Sequence, residues 1–167
     1  QPGCQSASLE LVDLDCMESI HHFTDRLHEE WDQINVLVNN AAIIPGHRTL
    51  SKDGLEMQLA VNHLAPFLIT HLLMDLLKAG SPSRVVNVSS HVHRGATIPF
   101  DDMQTEHGYR PFKVYGRTKL ANILFTRELA RRLAGTSVTA NCLHPGVVGT
   151  NIATHMPWPM NWLGKLS

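Results

Sequence analysis

The chain has 167 residues, a formal net charge of -1 and a hydrophobic fraction of 43%. This composition is that of one ordinary globular domain and excludes a disordered chain. There is no basic run of the kind that binds nucleic acid and no unbroken apolar stretch of about 18 residues, so we expect neither nucleic-acid binding nor a membrane span in this sequence. The cysteines, Cys4, Cys16 and Cys142, are odd in number and widely spaced, which favours a reducing, intracellular location.

Short β-branched runs alternate with longer helical patterns along the chain. In chain order they predict a strand over residues 9–13, a helix over 15–31, a strand over 34–38, a helix over 55–77, a strand over 84–88, a helix over 114–133 and a strand over 138–143. Strands that alternate with helices pair in parallel through crossovers. The sequence therefore predicts a single α/β domain with a doubly wound, parallel, Rossmann-like sheet, in which the continuous apolar run at 34–38 is buried on both faces.

Small or polar residues follow each predicted strand. Asp13 follows the first, residues 39–42 (Asn-Asn-Ala-Ala) the second, Ser89 and Ser90 the third, and residues 144–146 (His-Pro-Gly) the fourth. Ligands of such sheets bind beyond the carboxyl ends of the strands. We therefore expect one site that is built from these four strand ends.

Tyr115 and Lys119 lie four residues apart in the predicted helix over 114–133, so their side chains share one helix face. An ammonium group beside a phenol favours the phenolate and lowers the phenol's pKa from its reference of ~10. Such a phenol is a suitable general acid/base for an alcohol or a carbonyl. The pair alone also fits the surface of an amphipathic helix, but with Ser90 at a neighbouring strand end, catalysis is the favoured interpretation.

Asn62 lies inside a helical pattern, four residues before Pro66. Proline has no N–H, so the carbonyl of Asn62 loses its helical donor. A buried carbonyl needs another donor, and water is the natural one. The pattern fits either a water-binding kink at Asn62 or a plain proline kink.

Histidine pairs at residues 21–22 and at His91 and His93 raise the question of a metal site. Helical metal pairs need a spacing of four residues, and the sequence has no HExxH motif or cysteine pair. We therefore predict no metal site.

Five segments together resemble the short-chain dehydrogenase/reductase family. They are NNAA at residues 39–42, VNHLAPF around Asn62, VNVSS ending at Ser90, YGRTK from Tyr115 to Lys119, and HPGVVGT ending at Thr150. The segments DGLEMQLAVNHLAPFLITHLL and KLANILFTRELARRLAGTSVTANCLHPGVV are most similar to the retinol-dehydrogenase-like branch of that family.

The resemblance implies a role for each matched residue. Tyr115 would exchange a proton with the substrate oxygen, Lys119 would lower the pKa of Tyr115 and hold the nicotinamide ribose, and Ser90 would polarise the substrate oxygen. Asn62 would hold a water molecule that links Lys119 to solvent. The implied catalytic residues are Asn62, Ser90, Tyr115 and Lys119. The implied cofactor-binding residues are Asp13, Leu14, Asn39, Ala41, Tyr115, Lys119, Pro145, Gly146 and Thr150.

The family's glycine-rich, pyrophosphate-binding turn would precede Gln1. We therefore expect a partial domain that lacks the first βαβα unit and the C-terminal elements. The residue that selects between NAD and NADP would lie in the missing part, so both cofactors stay open. The branch resemblance favours NADP.

The expected function is hydride transfer between this cofactor and a small-molecule alcohol or carbonyl, apolar and retinoid-like. The alternative is a truncated, non-catalytic isoform that binds or dimerises through its two long helices. The sequence leaves open whether the protein lies in the cytoplasm or on an intracellular membrane.

Overall fold

The computed structural model describes residues 7–146 of the chain. The helices are α1 (Met17–Glu30), α2 (Met57–Leu59), α3 (Ala65–Leu72), α4 (Met74–Ala79) and α5 (Pro111–Arg132), and the strands are β1 (Val36–Asn39), β2 (Ser83–Val88) and β3 (Val138–Leu143). A π-helical turn, Ala60–Leu64, joins α2 to α3, and 3-10 turns at His91–His93 and Phe100–Asp102 lie between β2 and α5.

The three strands form one parallel sheet in the order β1-β2-β3. Leu37 pairs with Val85, and Val85 pairs with Ala140. Parallel neighbours need long crossovers, and helices supply them here. The predicted α/β fold with a parallel, Rossmann-like sheet is confirmed, and the carboxyl ends of all three strands meet at one edge.

The strand predicted over residues 9–13 is wrong. This segment forms no strand, and Leu9 and Leu11 are 85% and 79% exposed. A strand is held by ladder hydrogen bonds to a neighbour, and in residues 7–146 no strand lies beside this segment. The segment is held instead by Arg26, which bonds the Glu10 carboxylate and the Leu11 carbonyl, and by Val12, which packs against the hydrophobic core.

The helix predicted over residues 55–77 is present but interrupted. It starts at Glu56, whose carboxylate accepts hydrogen bonds from the backbone N–H groups of Gln58 and Leu59. At the π-helical turn, the Ala65 N–H donates to the carbonyl of Ala60. Pro66, which has no N–H, is the residue after Ala65. The helix is therefore interrupted at the proline, as the sequence predicts.

The helices cover one face of the sheet. Val85 and Val138 are buried on this face and pack against Leu77 and Leu133. Burial of each such side chain contributes about 1.5–3 kcal/mol to stability. On the opposite face Val36 and Val38 are 53% and 55% exposed, so the burial on both faces predicted for residues 34–38 is wrong in the described part of the chain.

Within residues 7–146, no helix combines the length and the apolar sequence that crossing a bilayer requires.

Helix α5 approaches the 3-10 turn His91–His93 closely at Gly116. A Cβ atom on Gly116 would lie 2.7 Å from the carbonyl oxygen of Val92 and 3.6 Å from the Cβ of Ala96. The first of these distances is shorter than carbon and oxygen tolerate. A glycine at this position therefore sets the distance between α5 and the segment that follows β2.

We predict that Gly116→Ala destabilises the protein by about 1–3 kcal/mol, because the added methyl group overpacks a backbone contact. At an open helical position, the same change would stabilise by about 1 kcal/mol. Thermal or urea unfolding measures the sign. The exposed α5 residue Ala130, changed to glycine, provides the propensity reference. A stabilised Gly116→Ala protein would contradict the close packing.

Candidate active site

A cavity of about 1170 Å³ lies at the carboxyl ends of the strands. Its lining includes eight of the residues that the sequence singles out: Asp13, Leu14, Ala41, Ser90, Tyr115, Lys119, Pro145 and Gly146. Asn39 and Asn62 are outside the lining, and Thr150 lies outside the described residues. All four predicted strand ends thus contribute residues to one concave site, although residues 9–13 do not form a strand.

Tyr115 and Ser90 meet in this cavity. Tyr115 lies in the second turn of α5, and Ser90 lies just beyond the end of β2. Burial raises the pKa of the Tyr115 phenol, and the neighbouring Ser90 hydroxyl opposes that rise. The pKa of Tyr115 is thus raised, where the sequence led us to expect a lowering by Lys119, because the phenol is removed from water.

Lys119 is a fully buried cation, with 1% of its surface exposed. Its Nζ donates a hydrogen bond to the carbonyl oxygen of Val88 at 2.9 Å, and it lies 5.3 Å from the centroid of the Tyr115 ring. Burial lowers the pKa of the Lys119 ammonium to about 8, with Cys142 acting in the opposite direction. An ammonium group has three donors, so two N–H groups remain beside the Val88 bond.

The two serines after β2 have different surroundings. The Ser89 hydroxyl is buried and donates to the backbone carbonyl of Lys119 at 2.9 Å. Ser90 lines the cavity together with Tyr115, and its hydroxyl makes no hydrogen bond to the backbone of the turn that follows it. Ser89 thus ties β2 to α5, and the Ser90 side chain is left for the cavity.

Asn62 does not line the cavity but supports a residue of its wall. Its side chain is fully buried, accepts a hydrogen bond from the N–H of Ile43 at 2.8 Å, and donates to the carbonyl of Ile43 at 2.9 Å. Its backbone carbonyl accepts a hydrogen bond from Nδ2 of Asn122 at 2.9 Å. The inferred free carbonyl thus has a protein donor, where the sequence suggested water.

The side chain of Asn39 makes its hydrogen bonds to other residues of the fold. Its Nδ2 donates to Thr70 Oγ1 at 3.0 Å and to Asn87 Oδ1 at 2.8 Å. Its side chain therefore joins β1 to β2 and α3, and the expected contact of Asn39 with an adenine ribose finds no support in these bonds. The next residue, Asn40, lines the cavity instead.

Acidic side chains lie at another part of the cavity. The Asp13 carboxylate is paired with the Lys52 ammonium, which holds the pKa of Asp13 below its ordinary value. Asp15 also lines the cavity, and burial raises the pKa of its carboxyl. Asp15 Oδ1 is buried without a hydrogen-bond partner, and the Lys52 Nζ lies 3.7 Å from it.

These features fit a dinucleotide at two points. Asp15 Oδ1 accepts no hydrogen bond in the structure, which suits an amino group such as that of adenine, and the spare N–H groups of Lys119 suit ribose hydroxyls. Asp13, Leu14 and Ala41 would hold one part of such a cofactor, and Pro145 and Gly146 would hold another.

Sequence reasoning placed Asn40 and His144 at strand ends but gave them no role, and it missed Asp15 and Asn122. Asp15 lines the cavity and lies next to the end of the first predicted strand, so that proximity was the available signal. Asn122 had none, because its contact with Asn62 spans 60 residues of sequence.

His144 and His91 stack edge to face, with ring centroids 5.4 Å apart. Across residues 7–146, histidine, cysteine and acidic side chains form no group of three or more that could hold a metal ion.

A family model described as short chain dehydrogenase matches residues 4–158. Retinol dehydrogenase 14 of Mus musculus is 48% identical over 149 residues, which is 89% of this chain and 45% of that protein. The chain spans about half the length of the curated relatives it matches.

Two solved structures show the same fold. An uncharacterised protein from Mycobacterium paratuberculosis has a TM-score of 0.74 at 39% identity, over 86% of this chain and 52% of that one. A short chain dehydrogenase from Burkholderia cenocepacia in complex with NADP has a TM-score of 0.61 at 26% identity, over 81% and 51%. With a family match that covers most of its length and the Ser90, Tyr115 and Lys119 side chains on one cavity, the chain belongs to the short-chain dehydrogenase family.

Proposed function

We propose that this chain carries the catalytic residues of an NADP-dependent oxidoreductase that interconverts an apolar, retinoid-like alcohol and its carbonyl compound. The observation that carries the proposal is that Ser90, Tyr115 and Lys119 line one cavity at the carboxyl ends of the strands. The substrate class rests on the similarity to retinol dehydrogenases, and the choice of NADP is supported by the NADP complex of the Burkholderia structure.

The cavity wall suits an apolar substrate. Its lining includes Ile43, Ile44, Met57 and Phe112 together with the polar groups of Ser90 and Tyr115. A pocket of this kind binds a hydrocarbon through its walls and orients one oxygen atom through a few polar groups.

Each of the three polar side chains has a task in this reaction. Bound NADPH supplies the hydride for reduction, and NADP accepts it in the reverse direction. The Ser90 hydroxyl donates a hydrogen bond to the substrate oxygen, which polarises the carbonyl. The Tyr115 phenol gives its proton to that oxygen during reduction and takes it back during oxidation.

The raised pKa of Tyr115 keeps its proton in place before the reaction. The Lys119 ammonium, 5.3 Å from the ring centroid, stabilises the phenolate that forms when the proton leaves. Asn62 supports the site through Ile43, so we propose that it positions the cavity wall.

The proposal includes an intracellular protein and a homodimer. Cys16 and Cys142 are free thiols in the described part of the chain, which suits a reducing compartment. Phe67 on α3 and Leu124 on α5 are exposed apolar residues on the long helices that would meet in a dimer. Within residues 7–146, no contact favours the non-catalytic alternative over the enzyme. The experiment that follows tests this alternative.

We predict that Tyr115→Phe in the complete protein lowers kcat/KM for NADPH-dependent reduction of all-trans-retinaldehyde by about 10²–10⁴-fold, the usual contribution of a general acid. The phenyl ring remains, so the dissociation constant for NADPH should change little. Steady-state kinetics and a fluorescence titration with NADPH measure the two quantities.

Tyr109→Phe is the matched control, because the Tyr109 hydroxyl bonds Gln58 and does not line the cavity. It should retain most of the activity. Turnover by Tyr115→Phe at the wild-type rate would remove the proposed role, and a wild-type protein that neither binds NADPH nor turns over any carbonyl would favour the non-catalytic alternative.

The charge on Lys119 gives a second prediction. In the folded protein its pKa is about 8, against an ordinary value of 10.5. Between these values the unfolded chain holds one more proton than the folded chain, so the free energy of unfolding rises with pH in that window. Below about pH 8 both states are protonated and the cost of burial is present in full, on the order of 3 kcal/mol.

Comparison with Lys119→Met isolates this effect, since all other titrating groups are shared. Between pH 7.5 and pH 10, the wild type should gain stability relative to the variant by up to the stated cost, as measured by urea unfolding at each pH. A constant difference between the two proteins across this window would contradict the depressed pKa. The variant's lost bond to Val88 shifts its stability equally at every pH.

A further inference from the structure

The Asn62 carbonyl is a buried acceptor in need of a donor. It lies in the π-helical turn Ala60–Leu64, and Pro66 has removed the N–H that an α-helix would offer it. An unsatisfied buried carbonyl costs about 1–3 kcal/mol. The side chain of Asn122, three residues after Lys119 on α5, supplies the donor at 2.9 Å.

The orientation of the Asn122 amide is fixed from its other end. Asn122 Oδ1 lies 2.9 Å from Nδ1 of His63. Because the amide N–H faces the Asn62 carbonyl, the oxygen must accept from His63, which therefore carries its proton on Nδ1. Burial lowers the pKa of His63, which keeps its ring neutral. Asn122 is thus held with its donor toward Asn62.

The contact continues to the cavity. The Asn62 side chain holds both backbone groups of Ile43, which lines the cavity two residues after Ala41, one of the residues that would hold the cofactor. Its Nδ2 also lies 3.4 Å from the Thr118 hydroxyl, which donates to the backbone carbonyl of Tyr115. The Asn122 bond therefore connects the helix that carries Tyr115 to the opposite wall of the cavity.

We infer that Asn122 is a positioning residue of the active site: its amide replaces the helical donor lost at Pro66 and so fixes Asn62, and through Asn62 the wall at Ile43. Asn62 then holds that wall through its side chain, and its carbonyl oxygen keeps a second lone pair for a further donor. This inference rests on the proposed function, because it gives Asn122 a part in binding the cofactor of that reaction.

The role of Asn122 is tested by removing its donor and by restoring a backbone donor. If Asn122 positions the turn, Asn122→Ala weakens cofactor binding, and Pro66→Ala, which restores a backbone N–H four residues after Asn62, rescues it. If Asn122 does not position the turn, a water molecule replaces its donor, Asn122→Ala is harmless and Pro66→Ala has no loss to rescue.

The experiment compares Asn122→Ala, Pro66→Ala and the double variant in the complete protein. The readouts are the dissociation constant for NADPH by fluorescence titration, kcat/KM for retinaldehyde, and the Tm. We expect Asn122→Ala to raise the dissociation constant about tenfold, the effect of one lost hydrogen bond to a buried group. Pro66→Ala alone should stay near wild type, and the double variant should recover most of the loss.

Thr24→Val is the control for general destabilisation, because the Thr24 hydroxyl is buried on α1 and bonds within its own helix, outside the cavity lining. It should lower the Tm without weakening NADPH binding. If Asn122→Ala does not fold, recovery of a folded protein in the double variant supports the inference.

Wild-type NADPH binding by Asn122→Ala, or a double variant no better than Asn122→Ala, would overturn the inference. A protein that binds NADPH without turnover would overturn the proposed reaction, while the dissociation constants would still decide the role of Asn122. A wild type that does not bind NADPH would overturn the proposed function. The Tm values of the wild type and the three variants would then still show whether the backbone N–H restored by Pro66→Ala replaces the Asn122 donor.

Discussion

A continuous set of buried amide and hydroxyl contacts holds the sheet to the helices that carry the site. At its centre Asn87 of β2 accepts a hydrogen bond from Asn39 of β1 and donates to Thr126 of α5. Thr126 in turn donates to the backbone carbonyl of Asn122 at 2.6 Å. A buried polar network of this kind is favourable only when every member is satisfied. Apolar packing brings the layers together, and these amides determine the rotation and height of α5 above the strands.

The position of Tyr115 relative to Ser90 follows from that constraint. Ser89 bonds the backbone of Lys119, and the Lys119 ammonium returns a bond to Val88, so strand and helix are joined in both directions. Gly116 allows the close approach of α5 to the turn after Ser90. The separation of Tyr115 and Ser90, which lie on two different elements, is therefore set largely by contacts that neither side chain makes itself.

The sequence was sufficient for those features that local pattern controls. The strand predicted over 138–143 coincides with β3, and the helical spacing of Tyr115 and Lys119 places both on the cavity. The sequence was not sufficient for features that depend on residues far apart along the chain. Residues 9–13 form a short, largely apolar run that predicts a strand, but a strand needs a neighbour for its ladder of hydrogen bonds. The donor to the Asn62 carbonyl comes from α5, and the pKa of Tyr115 depends on burial that no spacing reveals.

The buried ammonium of Lys119 illustrates a conflict between stability and activity. Its lowered pKa means that the folded protein at neutral pH holds a charge that its surroundings disfavour. Groups with such shifts gather at sites of chemistry, because a charge that is poorly solvated interacts strongly with its neighbours.

The uncovered sheet face around Val36 and Val38 has a practical consequence for work on this region. In residues 7–146, β1 is the outermost strand on its side, and its outward N–H and C=O groups have no ladder partner. A bare strand with hydrocarbon side chains is a template on which strands from other molecules can add. We therefore expect preparations limited to this region to self-associate as their concentration rises, which restricts the concentration at which they can be studied.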